Sequence, residues 1–414
     1  MSSRALMTQF RGFIAVLSAV VTSVTTSVTP ASGDEGVAQV VEGFVVCERF
    51  TRDPQTESIE GLALTPEGDP ILLENNEVAI HHADSVESLM TFETPVFGSF
   101  LVVGPNNDAV YVGESTDGNI YRVPLAGGEQ VLVDNIRFNY ALDIDGDGRG
   151  AVSAPNPDFT LNQIVLLDGE PGLPSPVLVD SIPGFSGPLA FDDDGNLYYG
   201  TGEADCSEAL VRFTKEQIDL ATSGIPLDFE RDAEVLLTDL FSVNNMVFAD
   251  GNIYFSDLGF CSLPAVGTVR KVDIAENFLT TPFAEFPIDP GVLSPTIVAF
   301  RPGSRAFERG AGPEGGSLLV SVSNFVDRAL VAEVTSELHF VRGRINPGES
   351  IDISDAISLL NFLFNSGTPP SPLEAGNINR DEMIDVSDVI YLLNFLFAGG
   401  PSIPPPFPEP GPAS

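Results

Sequence analysis

Apolar residues along most of this chain recur in short alternating runs broken by tight Gly or Asn turns, the signature of strands with two buried faces. One unit repeats: an apolar strand, a turn, a second apolar strand, a variable loop and a third strand. It reads IEGLALTPEGDPILLENN, FLVVGPNNDAVYVGESTDGNIYRVPLAGG and YALDIDGDGRGAVSA. It continues as PLAFDDDGNLYYGTG with ALVRFT, NNMVFADGNIYFSDLG with GTVRKVD, and PTIVAFRPGSRAF with GSLLVSVSNF and ALVAEVT. The turn residues Gly68, Asn107, Gly148, Gly195, Gly251 and Gly303 lie 39, 41, 47, 56 and 52 residues apart. That spacing suits four-stranded propeller blades of about 40–50 residues better than a sandwich with turns every ~8–12. Six units fill residues 38–338, favouring six blades over seven. The segment GFVVCERF, ahead of the first unit, is expected to close the sixth blade and remove its open edge.

Beyond Arg342 the period changes. INPGESIDISDAISLLNFLFNSG is followed by NINRDEMIDVSDVIYLLNFLFAGG, with Asp352 and Asp385 equivalent and 33 residues apart. Each copy predicts an acidic loop and a short helix carrying Ile357, Leu360 and Phe364, or Ile390, Leu393 and Phe397, on one face. The Pro-rich tail PSIPPPFPEPGPAS is expected to be extended. The predicted class is therefore mainly β: a six-bladed β-propeller over 34–340, a small α-helical duplicated module over 341–400, and the tail, 401–414.

Residues 1–33 read differently. Arg4 and Arg11 precede an apolar stretch from Gly12 to Val24, and small residues lead to Ala31 and Gly33. A basic start, a short apolar run and a small-residue exit predict a secretory signal peptide; the run dissolves into Thr and Ser too soon for a spanning helix. Export places Cys47, Cys206 and Cys261 in an oxidising compartment. Cys206 and Cys261 hold equivalent places in consecutive repeats, which favours a disulfide between them over three free thiols.

The 19 Lys and Arg stand against 59 Asp and Glu, a net charge of −40. Phosphate-backbone binding is excluded on that balance, and Lys215 and Lys271 are the only lysines. Cations are favoured instead. No HExxH, GxSxG or Cys–His arrangement is present, and His81 and His82 alternate on a strand in VAIHHAD, a poor metal pair. DIDGDGRG carries Asp143, Asp145 and Asp147 before Gly148, but it aligns with the DDDGNL and ADGNIY turns and reads as a turn too. With no Trp and seven Tyr, no exposed aromatic platform for sugars is visible.

The units AVYVGESTDGNIYRVPLAGG and NNMVFADGNIYFSDLG resemble the six-bladed propellers of the NHL and gluconolactonase (senescence-marker) types. That family holds a divalent ion in its central tunnel with a Glu, two Asn and an Asp, to polarise a lactone carbonyl and activate water. The resemblance implies catalytic roles for Glu60, Asn139 and Asn244. The Asp has no counterpart: Ser186 and Thr296 stand in the remaining positions.

IDISDAI and IDVSDVI resemble the signature of dockerin type I modules, whose loops are EF-hand-like calcium sites. The resemblance implies Ca2+ ligation in the second loop by Asn377, Asn379, Asp381, the Met383 carbonyl, Asp385 and Asp388, with Glu382 where a Gly is usual. In the first loop Asn346, Asp352 and Asp355 remain, while Arg344 and Gly348 replace ligands. It also implies docking to a cohesin-like partner through Ser354, Asn361 and Phe362, and through Ser387, Asn394 and Phe395. Two functions follow: a secreted ligand- or protein-binding propeller anchored by a calcium-dependent docking module in an extracellular or cell-surface assembly, or a calcium-dependent lactonase of sugar-derived substrates, serving polysaccharide catabolism.

Overall fold

The computed structural model describes residues 39–412 apart from 41–43, 53–58, 75, 83–84, 94–97, 168–170, 172, 203–206, 241–242, 258–266, 287–293, 302–315, 324–328, 337–338, 347–349, 366, 371–372, 382 and 409–410. The expected signal peptide, Cys206 and Cys261 lie outside the described residues. Residues 46–301 with 318–334 form one compact unit, and residues 335–414 make up the bulk of a second.

The first unit is a six-bladed β-propeller. Two N-terminal strands, β1 (Gln39–Val40) and β2 (Phe44–Arg52), precede the blades. Blade 1 is β3 (Ile59–Leu64), β4 (Pro70–Glu74), β5 (Glu77–His81) and β6 (Val86–Thr91). Blade 2 is β7 (Gly98–Val103), β8 (Ala109–Glu114), β9 (Asn119–Pro124) and β10 (Val131–Asn135). Blade 3 is β11 (Ala141–Ile144), β12 (Gly150–Pro155), β13 (Asn162–Leu167) and β14 (Val177–Ile182). Blade 4 starts with β15 (Leu189–Phe191), β16 (Leu197–Gly200) and β17 (Glu208–Phe213). An insertion follows: α1 (Lys215–Thr222), β18 (Leu227–Asp228), parallel to β14, and α2 (Phe229–Asp232); β19 (Glu234–Leu240) then completes the blade. This insertion accounts for the stretched 56-residue spacing between Gly195 and Gly251. Blade 5 is β20 (Val243–Ala249), β21 (Asn252–Asp257), β22 (Gly267–Asp273) and β23 (Leu279–Phe286), with β1 on its outer edge. Blade 6 is β24 (Ser294–Arg301), β25 (Ser317–Ser323) and β26 (Ala329–Ser336), closed by β2. The expected closing segment is thus the strand that closes the ring.

Alternation on the inner strands explains the packing. Ala63 faces blade 2, beside Leu101, Val110 and Val112, whereas Leu62 and Leu64 face blade 6, beside Leu319 and Val331. On β7, Leu101 faces blade 1 and Phe100 faces Leu142 and Val152 of blade 3. Each sheet is therefore buried on both faces, which is why the strands read as near-continuous apolar runs.

In the second unit, α3 (Ile353–Asn365) and α4 (Val386–Phe397) bury Ala356 and Leu359 against Val389 and Leu392. Short strands β27 (His339–Phe340) and β28 (Gly411–Pro412) pair its two ends. The Pro-rich tail packs on the unit: Ile403 is buried, the Phe407 ring meets Phe395 edge-on at 5.3 Å, and the Tyr391 hydroxyl donates to the Ser402 carbonyl. No helix among the described residues is long and apolar enough to cross a membrane.

Candidate functional site

Strand alternation puts the starts of the inner strands, and the loops β8–β9, β10–β11, β12–β13, β14–β15 and β16–β17, at one end of the propeller sheets. Glu60, Asn139 and Asn244 all lie at this end. Three inner strands begin with a register shift: between Ile59 and Gly61, between Gly98 and Phe100, and between Val243 and Met246. Such bulges re-aim side chains, and here they fall at Glu60, Ser99 and the pair Asn244–Asn245.

The re-aimed groups staple blade to blade. Glu60 Oε2 accepts the Gly98 amide at 2.7 Å, and the Ser99 hydroxyl donates to Asn139 Oδ1. Asn139, buried, also donates to the carbonyls of Glu114 and Ile136. Glu208 Oε2, also buried, accepts the Val243 amide at 2.8 Å, and Asn245 Oδ1 accepts that of Val298 at 3.1 Å. Tyr140 reaches past blade 4 to donate its hydroxyl to the Asn244 carbonyl on blade 5, at 3.1 Å. Burial, then the charge of Glu208, push its phenol far above the usual range, so it acts as a donor and not as a base.

The three residues implied as catalytic are thus brought to one end, but Asn139 is engaged at both ends of its amide. Glu208, Tyr140 and Asn245 were missed, because their proximity is created by ring closure and by bulges rather than by spacing. Among the described residues no group of three or more His, Cys, Asp and Glu is placed to hold a metal ion.

Asp143 adds another staple, accepting the Phe191 amide of blade 4 at 2.7 Å. Burial raises its carboxyl to about 6 from 3.8. A folded value above the unfolded one means the contribution is full below about pH 4 and lost as pH rises through 6. Asp143→Asn keeps the acceptor without the charge. The variant is expected to melt with wild type at pH 4 and to be more stable by about 1–3 kcal/mol at pH 8; a pH series of thermal melts checks this, and equal stability at pH 8 refutes it.

Asp145 behaves as a turn residue, accepting the amides of Asp147 and Arg149 and pairing with the Arg149 guanidinium at 2.6 Å. His81 lies near Glu74, and His82 bonds Asp69 at 2.6 Å, so the two rings face apart as the alternation predicts.

In the second unit the two copies share the bonds centred on their helix-starting aspartates at an offset of 33. Asp355 Oδ1 accepts the amides of Ile345 and Asn346, and Oδ2 that of Asp352; Asp388 does the same with Ile378, Asn379 and Asp385. Asp352 and Asp385 cap the helices through the Ser354 and Ser387 amides, both at 2.7 Å. The hydroxyls and amides of Ser354 and Ser387 hold those two carboxyls below their ordinary values; burial raises that of Asp388.

Two side-chain oxygens of the second loop share one donor. Asn377 Oδ1 and Asn379 Oδ1 both accept the Asp381 amide, at 3.1 and 3.0 Å, and Asp381 Oδ1 accepts that of Met383. Each of these oxygens keeps a second lone pair, a donor set that fits a hard cation. Asp388 already accepts three amides and has one lone pair left, so it offers a single ligand bond where a bidentate one is implied. The first loop offers Asn346, whose amide donates to the Ser354 hydroxyl, and Asp352.

Both helices also expose an apolar row. Ile357 and Ile390 are 52% and 54% exposed, Phe364 and Phe397 both 68%, with Ile353 and Val386 continuing the face. Asn361 and Asn394 are exposed beside it, whereas Phe362 and Phe395 pack partly into the core.

No protein-family model matches the chain, and no curated protein does. Solved structures do. One is a gluconolactonase from Xanthomonas campestris: 14% identity, TM-score 0.49, 75% of this chain and 99% of that one. Another is the calcium-binding protein regucalcin from Agrobacterium tumefaciens: 16% identity, TM-score 0.45, 70% and 96%. A third is virginiamycin B lyase from Staphylococcus aureus: 12% identity, TM-score 0.44, 70% and 99%. The likeness carries none of these proteins' chemistry to this chain, and the fold rests on the six sheets themselves.

Proposed function

We propose that this chain is a secreted ligand-binding propeller carried by a calcium-dependent docking unit of the dockerin kind. The observation that supports it is the duplication: two loop–helix units with the same aspartate-centred hydrogen bonds present the same exposed apolar face twice. Two equivalent faces give a cohesin-like partner two alternative ways to dock. The donor types in the second loop suit one calcium site, for which the resemblance supplies Asn377, Asn379, Asp381, Asp385 and the Met383 carbonyl, with Asp388 limited to a single bond.

Calorimetry of the signal-free chain with calcium, then with a cohesin domain of the same organism, tests this. One tight calcium equivalent is expected, lost in Asn379→Ala/Asp381→Ala and kept in Asn346→Ala. Phe364→Glu and Phe397→Glu alone are expected to retain cohesin binding and together to reduce it more than about 100-fold. Binding that survives a chelator, or the double variant, refutes the docking reading.

A second reading is hydrolysis of a lactone or ester at the propeller end that carries Glu60, Asn244 and Glu208. Glu208 adds a buried carboxylate at the same end of the propeller, which is what favours this reading. Calcium-dependent lactone opening that falls at least ~100-fold in both Glu60→Gln and Glu208→Gln is its expected result. Turnover unchanged in either variant refutes it.

A further inference from the structure

The propeller end that carries the staples also carries an apolar arc that no strand pattern predicted. Phe138, on the β10–β11 loop, and Phe159, on the β12–β13 loop, meet edge-on with ring centres 5.4 Å apart. Both have left-handed backbones, φ 57° and 55°, a conformation bulky residues rarely adopt. Phe159 is 44% exposed, Leu161 beside it 36%, and Phe185 on the β14–β15 loop 58%. Lone exposed apolar side chains are ordinary; several on neighbouring, bonded loops mark a binding surface.

These loops are tied to one another. The Phe138 amide donates to the Ser115 carbonyl at 2.8 Å and the Ile136 amide to that of Gly118 at 2.7 Å. A Cβ on Gly118 (φ 85°) would lie 2.7 Å from the Arg137 backbone, so only glycine lets the two loops approach. Asn156 Oδ1 accepts the Thr160 amide, and Asn162 bonds both Ser186 and the Gly184 carbonyl. The Phe185 amide donates to the Gly202 carbonyl at 2.6 Å. Asn139, Asn156 and Asn162 are thereby occupied in shaping the loops and are not available to a polyhydroxylated ligand.

One charge is left over. Arg137 is exposed, its guanidinium carbon 5.4 Å from the Phe138 ring centre. Among the described side chains of the propeller, every other Arg and Lys lies within 4 Å of a carboxylate oxygen: Arg122, Arg149, Arg212, Lys215, Arg231, Arg270, Lys271 and Arg301. In a chain of net charge −40, an arginine without a carboxylate, laid on an aromatic ring, is a planar donor fork held ready for an incoming one.

We infer that this arc is a binding site for a small apolar carboxylate, an aromatic or acyl acid, with its body on Phe159, Leu161 and Phe185 and its carboxylate on Arg137. The inference names the ligand class for the propeller half of the function proposed above and is independent of the docking unit.

Three probes that share a ring test it on the signal-free full chain: 2-naphthoate, 2-naphthalenemethanol and 2-naphthylmethylamine, followed by calorimetry and saturation-transfer NMR. Naphthoate is expected to bind about tenfold more tightly than the alcohol, as one charge-assisted contact allows, and the amine more weakly still. Arg137→Gln is expected to erase the preference for the acid while leaving the alcohol bound, Arg137→Lys to restore part of it, and Phe159→Ala to weaken acid and alcohol alike. Equal binding of all three probes, or an acid preference that survives Arg137→Gln, overturns the carboxylate class. Binding of the alcohol or amine alone, lost in Phe159→Ala, overturns that class but keeps a ligand site at this end. No binding of any probe overturns the inference and leaves the propeller half of the proposed function without its site.

Discussion

Arg342→Met is expected to destabilise the C-terminal unit by about 1.5–3 kcal/mol, the range for losing the hydrogen bonds of a charged group. Arg342 is 3% exposed and has its guanidinium over the Phe340 ring. Its Nε donates to the Pro405 carbonyl at 2.9 Å, and Nη1 donates to those of Glu374 and Asn377 at 3.0 and 2.5 Å. Its own amide donates to Pro406 at 2.7 Å. One side chain therefore ties the tail, the short 3₁₀ turn at Leu373–Ala375 and the entry to the second loop. Methionine fills similar volume but leaves three part-buried carbonyls without this donor. Burial lowers the guanidinium's pKa, yet arginine stays charged at any working pH, so no pH change imitates the variant. Native-state hydrogen exchange on the full chain measures the effect, with amides of 375–397 expected to lose protection while propeller amides keep theirs. Arg342→Lys, which retains the charge but not the fork, is expected to recover only part of it. Unchanged exchange in Arg342→Met refutes the tie.

The blades were legible because each is built on a local signal. Gly68, Asn107, Gly148 and Gly195 donate their amides three residues back, to Thr65, Gly104, Asp145 and Asp192, all with positive φ. A four-residue turn with a left-handed residue shows in any sequence that must put Gly or Asn there. The duplicated unit was legible for the same reason: its capping Asp and Ser sit at fixed offsets from the helices they start. What the sequence concealed depends on contacts between distant residues. Asn139 reads as an isolated polar residue ahead of a strand, and only ring closure turns it into a loop staple. Glu208 follows a loop, and its proximity to Tyr140 exists only once blades 3, 4 and 5 are assembled. Phe138 and Phe159 look like strand aromatics, since a left-handed φ on phenylalanine has no composition signal. The outward row of Ile357 and Phe364 was visible as a face, but periodicity alone does not say which of two apolar faces turns inward.

Deleting residues 34–52 is expected to abolish the folded propeller, a loss on the order of the whole stability of such a domain, ~5–15 kcal/mol. The segment supplies two edges at once: β1 pairs with β23, Gln39 opposite Glu285, and β2 completes the sheet of β24, β25 and β26. Without β2, β26 is an open edge in a blade whose other face must still close on blade 1 through Ala299, Leu319 and Val331. An exposed edge rich in Val and Ala is a template for pairing between chains, so the truncated protein should aggregate rather than settle into an open ring. The same physics supplies the control. A synthetic peptide of residues 39–52, added during refolding of the truncated chain, can dock as a strand on the vacant edge. It is expected to restore a single cooperative melt and a monomeric elution volume, whereas a shuffled peptide of the same composition is not. A truncated chain that melts cooperatively without peptide would show that the ring is held by its five other interfaces, and that the N-terminal strands decorate a structure already closed.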